Sequence, residues 1–212
     1  MNNYQPPQSN SFEPLEPLQE QPEAETSGCW MFLREIFETL LLAAVLFLVI
    51  NGLTARVRVD GPSMEPSFFD RDRIVVSKVS YMLGDIQRGD VIVFPAPVDP
   101  EEDYIKRVIG LPGDHIRIAG GYVYINDVAL EEPYIQAPPL SNMQEMIVPD
   151  NSVFVMGDNR NVSSDSRAWG SLPIDDIIGK AVFVYWPLNA VRIVEHYDFD
   201  VVEPLLDTAA AN

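Results

Sequence analysis

Tyr104-Ile105-Lys106-Arg107-Val108-Ile109-Gly110-Leu111-Pro112-Gly113-Asp114 is a β-type run that ends in a Pro-Gly-Asp turn signal. The two-residue period of a strand puts Tyr104, Lys106 and Val108 on one face and Ile105, Arg107 and Ile109 on the other. A lysine among apolar β residues has two possible fates. On an edge strand it faces water. In an apolar site its ammonium is disfavoured and its pKa falls. Lowering a lysine by about two units costs roughly 3 kcal/mol. That shift makes it able to take a proton from a hydroxyl at neutral pH.

Working outward, the same short-strand grammar fills residues 54–200. Arg56-Val57-Arg58-Val59 alternates, and Arg73-Ile74-Val75-Val76 and Asp90-Val91-Ile92-Val93-Phe94 are β-branched runs bounded by Gly, Pro and Asp. His115-Ile116-Arg117-Ile118 and Tyr122-Val123-Tyr124-Ile125 flank Gly120-Gly121 and predict a hairpin. Asn126-Asp127 turns the chain toward a short strand before Glu131. Residues 132–146 are proline-rich and polar and predict a surface loop, and residues 152–156 and 181–186 predict further strands. Such a pattern predicts a mainly β domain.

Ahead of it lies a different chemistry. Residues 40–50 are unbroken apolar, and the wider stretch 30–53 is interrupted only in its first half, by Arg34, Glu35, Glu38 and Thr39, and at its end by Asn51 and Gly52. A bilayer span needs about 20 mostly apolar residues, so 30–53 predicts a transmembrane anchor. A cleaved secretory signal would begin at the N-terminus with basic residues. Here residues 1–29 come first, rich in Pro, Gln, Glu and Ser and without Lys or Arg, and predict a disordered acidic tail. Residues 201–212 predict a loose C-terminal tail. Arg56, Arg58, Arg71 and Arg73 follow the span and Arg34 precedes it, which by the positive-inside rule alone puts the large domain in the cytoplasm; long domains, however, cross largely regardless of charge.

Bulk properties exclude several classes. The chain has 212 residues, 14 basic and 32 acidic, for a net charge of −18. That argues against a nucleic-acid surface and against anchoring by attraction to anionic lipid. The lone Cys29 allows no internal disulfide, and with His115 and His196 scattered no metal site is legible. Neither His lies in a motif, so a serine nucleophile needs another base.

Two loops offer the remaining chemistry. Gly61-Pro62-Ser63-Met64-Glu65-Pro66-Ser67 follows the apolar span closely, and its prolines stiffen a segment that carries a hydroxyl. The plain reading of it is a linker; the functional one is a nucleophile held beside the membrane. Gly157-Asp158-Asn159-Arg160-Asn161-Val162-Ser163-Ser164-Asp165-Ser166-Arg167-Ala168-Trp169-Gly170 is dense in groups that make loop hydrogen bonds and Arg–carboxylate pairs. Within it, Asn161-Val162-Ser163 is a glycosylation sequon by pattern.

In this order, a serine loop after an anchor, then YIKRVIGLPGD, then GDNRNVSSDSRAWG resembles type I signal peptidase, the bacterial leader peptidase family. The resemblance runs from the anchor to about Trp186. It implies a β-sheet serine protease domain with Ser63 as nucleophile and Lys106 as general base, and no cofactor. Ser163 would orient the Lys106 amine. Asp158, Arg107, Asp165 and Arg167 would be ion-paired residues that hold the two motifs together. Val59, Met64, Tyr104 and Ile105 would line the pockets for small residues before the cut. The expected substrates are signal peptides of exported preproteins, cut after small-x-small sequences such as Ala-x-Ala at the surface of a lipid bilayer, with the domain on the extracytoplasmic side. Gly61 departs from the Gram-negative pattern, where a serine hydroxyl stands two residues before the nucleophile and helps to bind the oxyanion. Two rival readings are a membrane-tethered β domain that binds peptides without cutting them, and the self-cleaving repressors, which share a Ser-Lys pair but are soluble and carry a DNA-binding front half.

Overall fold

A computed structural model describes Met1 and residues 27–197. The tails expected at 1–29 and 201–212 lie outside the described residues, apart from Met1 and the backbone at 27–29. The chain divides into two compact units, Met1–Val45 and Leu46–Asn212.

Helix α1, Ser27–Leu53, carries the apolar run. Its stretch Trp30–Leu53 is 24 residues, about 36 Å at 1.5 Å per residue, long and apolar enough to cross a membrane. The Arg34 and Glu38 side chains pair one helical turn apart (2.7 Å), so two of the three charges near the start offset each other.

The second unit is mainly β, as expected. Its strands are β1 Thr54–Arg58, β2 Arg73–Ser77, β3 Val91–Pro95, β4 Asp103–Gly110, β5 His115–Ala119, β6 Tyr122–Ile125, β7 Val128–Ala129, β8 Met143–Ile147, β9 Ser152–Met156, β10 Leu172–Pro173, β11 Gly179–Trp186 and β12 Arg192–Ile193. Two one-turn helices, α2 Ser80–Leu83 and α3 Ser166–Trp169, interrupt them. A large sheet runs β1-β2-β11-β3-β4-β9-β10, with β12 beside β11, and a smaller one runs β7-β6-β5-β8. All pairings are antiparallel.

The central strands of the large sheet, β3, β4 and β9, are buried on both faces, which explains their apolar runs. Along β3, Val91 and Val93 enter one core with Met64, Phe68, Ile74 and Ile105. Ile92 and Phe94 enter another with Val108, Val153 and Val155. Each such residue contributes about 1.5–3 kcal/mol of burial. The small sheet packs Ile116, Ile118, Val123 and Ile125 against Ile109 and Phe154. Its tight turns are those the sequence predicts: Ala119 pairs with Tyr122 and Ile125 with Val128. The two-residue connections, Gly120-Gly121 and Asn126-Asp127, all have positive φ, as a type I′ hairpin turn requires.

One expectation is corrected. The polar segment 132–146 is not loop throughout: β8 begins at Met143 and pairs with β5, His115 opposite Ile147. Its side chains are mostly exposed, so burial leaves no alternation to read. Tyr134, in the same segment, is buried against the small-sheet core.

Candidate active site

β4 lies inside the large sheet, between β3 and β9. Lys106 stands opposite Ile92, and Arg107 opposite Met156 at the end of β9. That register delivers the chain directly after Met156, the Gly157–Asp158 stretch, to the side of β4. Arg107 Nε and Nη2 grip the Asp158 carboxylate at 2.9 and 2.7 Å, and both side chains are buried. Burial of two charges is tolerated here because the remaining valences are filled. Asp158 also accepts from Ser67 Oγ (2.5 Å), and Arg107 donates to the Gly89 carbonyl (2.8 Å).

Ser63 comes from the loop between β1 and β2. Its base is closed by Val59 N–H to Asp72 O (2.8 Å) and Arg71 N–H to Val59 O (2.9 Å). Met64 and Phe68 are its apolar anchors. Its crest is stitched to the Gly157 loop by Asn159, whose backbone N–H donates to Ser63 O (3.0 Å) and whose side chain donates to Pro62 O (3.1 Å). Gly61 has φ of +84° and donates its N–H to Asp70 (3.0 Å). A serine here would be strained, which gives a backbone reason for the glycine.

The two loops and β4 bring Ser63 Oγ to 3.0 Å from Lys106 Nζ. The amine also donates to its neighbour's carbonyl, Ile105 O (2.9 Å), and lies 5.0 Å from the Tyr104 ring centre. Lys106 is buried while Ser63 is half-buried. Burial pushes the amine down to about 8, against the opposing pull of the Asp165 and Asp158 carboxylates. Such an amine is neutral often enough at physiological pH to accept a serine proton.

The other expected site residues fall out as follows. Val59, Met64 and Ile105 are buried together in one core, and Tyr104 is half-buried against Phe94, on the opposite face. Arg107–Asp158 joins the two motifs. Asp165–Arg167 does not: this bidentate pair (2.7 and 2.8 Å) lies within one loop. Asp165 instead holds its own loop, accepting from Gly157 N–H (3.0 Å). The orienting bond expected from Ser163 to Lys106 is also not made. Ser163 Oγ is buried without a hydrogen-bond partner. It packs on Gly157, whereas Lys106 is already directed to Ser63 and Ile105.

Two residues of this loop were not foreseen. Asn159 is the stitch described above. Arg160 is buried, bonds Gly157 O (3.2 Å), and pairs with Glu132 from the proline-rich segment. An arginine in a loop is ordinarily read as solvated, and nothing in the local pattern names a partner 28 residues away.

Gly157 is the tightest point of the site. A Cβ there would lie 2.3 Å from Ser163 Oγ and 2.4 Å from Ser63 O. Gly157→Ala is therefore expected to push the serine loop off Lys106. Displacement on the order of 1 Å costs about 10²-fold in rate. Steady-state cleavage by a folded variant checks this, and wild-type kcat would contradict it.

The profile of the family described as "Signal peptidase, peptidase S26" matches residues 33–186. Signal peptidase I of Leptolyngbya laminosa is 42% identical over 83% of this chain and 88% of its own. Probable signal peptidase I-1 of Synechocystis sp. is 40% identical over 84% and 95%. Signal peptidase IB of Staphylococcus aureus is 34% identical over 75% and 94%. Strands β1 to β11 and the motifs at residues 61–67, 104–114 and 157–170 lie within the matched span, and the apolar helix fits a family that is membrane-associated. The chain therefore belongs to the signal peptidase family, peptidase S26, and is a serine peptidase that hydrolyses peptide bonds.

Proposed function

We propose that the chain removes signal peptides from exported preproteins with a Ser63–Lys106 dyad. The observation that carries this is the 3.0 Å contact between a half-buried hydroxyl and a buried amine whose pKa is pulled down to about 8. Neutral Lys106 takes the Ser63 proton as Oγ attacks the carbonyl at the end of the signal peptide. The amine then returns that proton to the leaving amino group, which departs as the new N-terminus of the mature protein. Lys106 next activates a water, which hydrolyses the acyl-enzyme and frees the signal peptide and Ser63. The Ser63 backbone N–H serves the oxyanion.

Asp158, Arg107, Asp165 and Arg167 support the site through the two ion pairs. Ser163 lies beside Gly157 and, by a rotation of its hydroxyl or a small loop shift, orients the amine during turnover. Val59, Met64, Tyr104 and Ile105 form shallow pocket walls that admit only short side chains, giving cleavage after small-x-small sequences. Residues 30–53 act as a single-pass anchor, 54–200 as the protease domain on the extracytoplasmic side, and the bilayer confines the site to where signal peptides arrive.

The test is cleavage of a preprotein with an Ala-x-Ala site by the purified full chain, followed by N-terminal sequencing. A new N-terminus after the second alanine is expected; intact preprotein, or cleavage unaffected by replacing both alanines with leucine, would refute the specificity. Protease digestion of the domain in sealed vesicles checks its side; digestion only from the cytoplasmic face would reverse it. The amine must be neutral to act, so activity falls as pH drops below its pKa. We expect kcat/KM to reach half its plateau at a pH of about 8.

A further inference from the structure

Residues 192–197 cross the back of the Arg107–Asp158 pair. Arg192 fastens one end, donating to Ser67 O (2.6 Å) and to Asp72 (3.0 Å) at the root of the serine loop. Val194 N–H bonds Val182 O (3.1 Å). Glu195 O accepts from Arg107 (3.3 Å), and His196 Nδ1 accepts the Val91 N–H (3.3 Å). Tyr197 closes the other end. Its backbone rests on Gly89, where a Cβ would lie 1.7 Å from the Tyr197 carbonyl oxygen. The Tyr197 and Tyr134 rings are 5.1 Å apart, and the Arg107 guanidinium lies 5.2 and 4.4 Å from their centres. The segment forms one wall of a partly open pocket of about 330 Å³ that Ser67, Arg107 and Tyr134 also line.

We infer that residues 192–197 form a positioning strap, with Tyr197 as its seal, that acts on the reaction through Arg107 by keeping the Arg107–Asp158 pair closed and dry. This rests on the proposed role of Lys106 as the base. The groups facing its amine are Ser63 from the serine loop, Asp158 and Asp165 from the Gly157 loop, and the Tyr104 ring from its own strand. Of these, Asp158 is the one the strap controls. While Arg107 grips it, much of its charge is cancelled. Opening the strap admits water along Arg107, loosens the grip and exposes the carboxylate to the amine. Less burial and a less neutralised Asp158 both raise the lysine pKa, so the two consequences have the same sign.

The strap therefore predicts an effect on the pH profile that a purely structural role does not. A base with a raised pKa loses activity at neutral pH and recovers it in alkali. Mere loss of structure lowers the plateau and leaves the acid limb in place.

The experiment is kcat/KM against pH for the full chain in detergent micelles with a preprotein substrate. Tyr197→Leu is expected to move the acid limb upward by about half a pH unit or more while the alkaline plateau holds. Tyr197→Phe, which keeps the ring, is expected to restore the wild-type limb. Arg192→Gln unfastens the far end and is expected to move the limb in the same direction, so it decides the matter if Tyr197→Leu does not fold. An unmoved acid limb in the folded variants overturns the strap. Cleavage by Lys106→Met, measured alongside, would instead overturn the base assignment beneath it.

Discussion

Lys106→Met is expected to abolish preprotein cleavage without unfolding the domain. The base alone accounts for about 10²–10⁴ in rate. Ser63→Ala, which removes the attacking atom, is expected to lose at least as much, and the double variant no more than the worse of the two, because groups that act as a unit are not additive. Methionine nearly matches lysine in volume and keeps the surrounding packing. It also removes the desolvation cost of a buried amine, which appears as the depressed pKa. The thermal midpoint of Lys106→Met is therefore expected to equal or exceed that of the wild type. Rate and midpoint measured on the same preparation separate chemistry from folding. A variant that still cleaves at a tenth of the wild-type rate would require a different base.

Arg107→Ala is expected to show the largest loss of stability. It leaves the Asp158 carboxylate buried with Ser67 as its one remaining side-chain partner. Breaking a buried pair from one side costs about 3–5 kcal/mol, roughly 10 °C in midpoint for a domain of this size. Arg167→Ala is the comparison. Arg167 also pairs bidentately, but it is partly exposed and ties only its own loop. Its loss is expected to be well under half as large. Thermal unfolding of both variants checks the ranking, and equal midpoints would mean that the Arg107 pair does not carry the junction between β4 and the Gly157 loop.

Much of this was legible in sequence because it rests on local rules. The strand periods, the Gly120-Gly121 and Asn126-Asp127 turns and the apolar helix each follow from residue type within a few positions. The segments that carry Ser63, Lys106, Arg107 and Asp158 were legible because a short serine loop is followed, in order, by two long motifs. What escaped depends on distant pairing. β8 is mostly exposed and its alternation weak, so only its ladder with β5 identifies it. β10 and β12 are two residues each and exist only through their partners. Arg160 looked like a loop cation until Glu132 met it. Asp165 and Arg167 are ion-paired, as their types suggest, but with each other inside one loop, a partner choice that a list of motif residues does not give. The bond from the Lys106 amine to its neighbour's carbonyl is likewise invisible in a list of motif residues.

Direct titration of the Lys106 amine by nitrogen-15 NMR, on chain carrying labelled lysine in micelles and assigned with Lys106→Met, tests the account most closely. A midpoint at about 8 is predicted. A midpoint in the ordinary lysine range, about 10.4, would mean an ammonium that cannot deprotonate Ser63, and would contradict the mechanism.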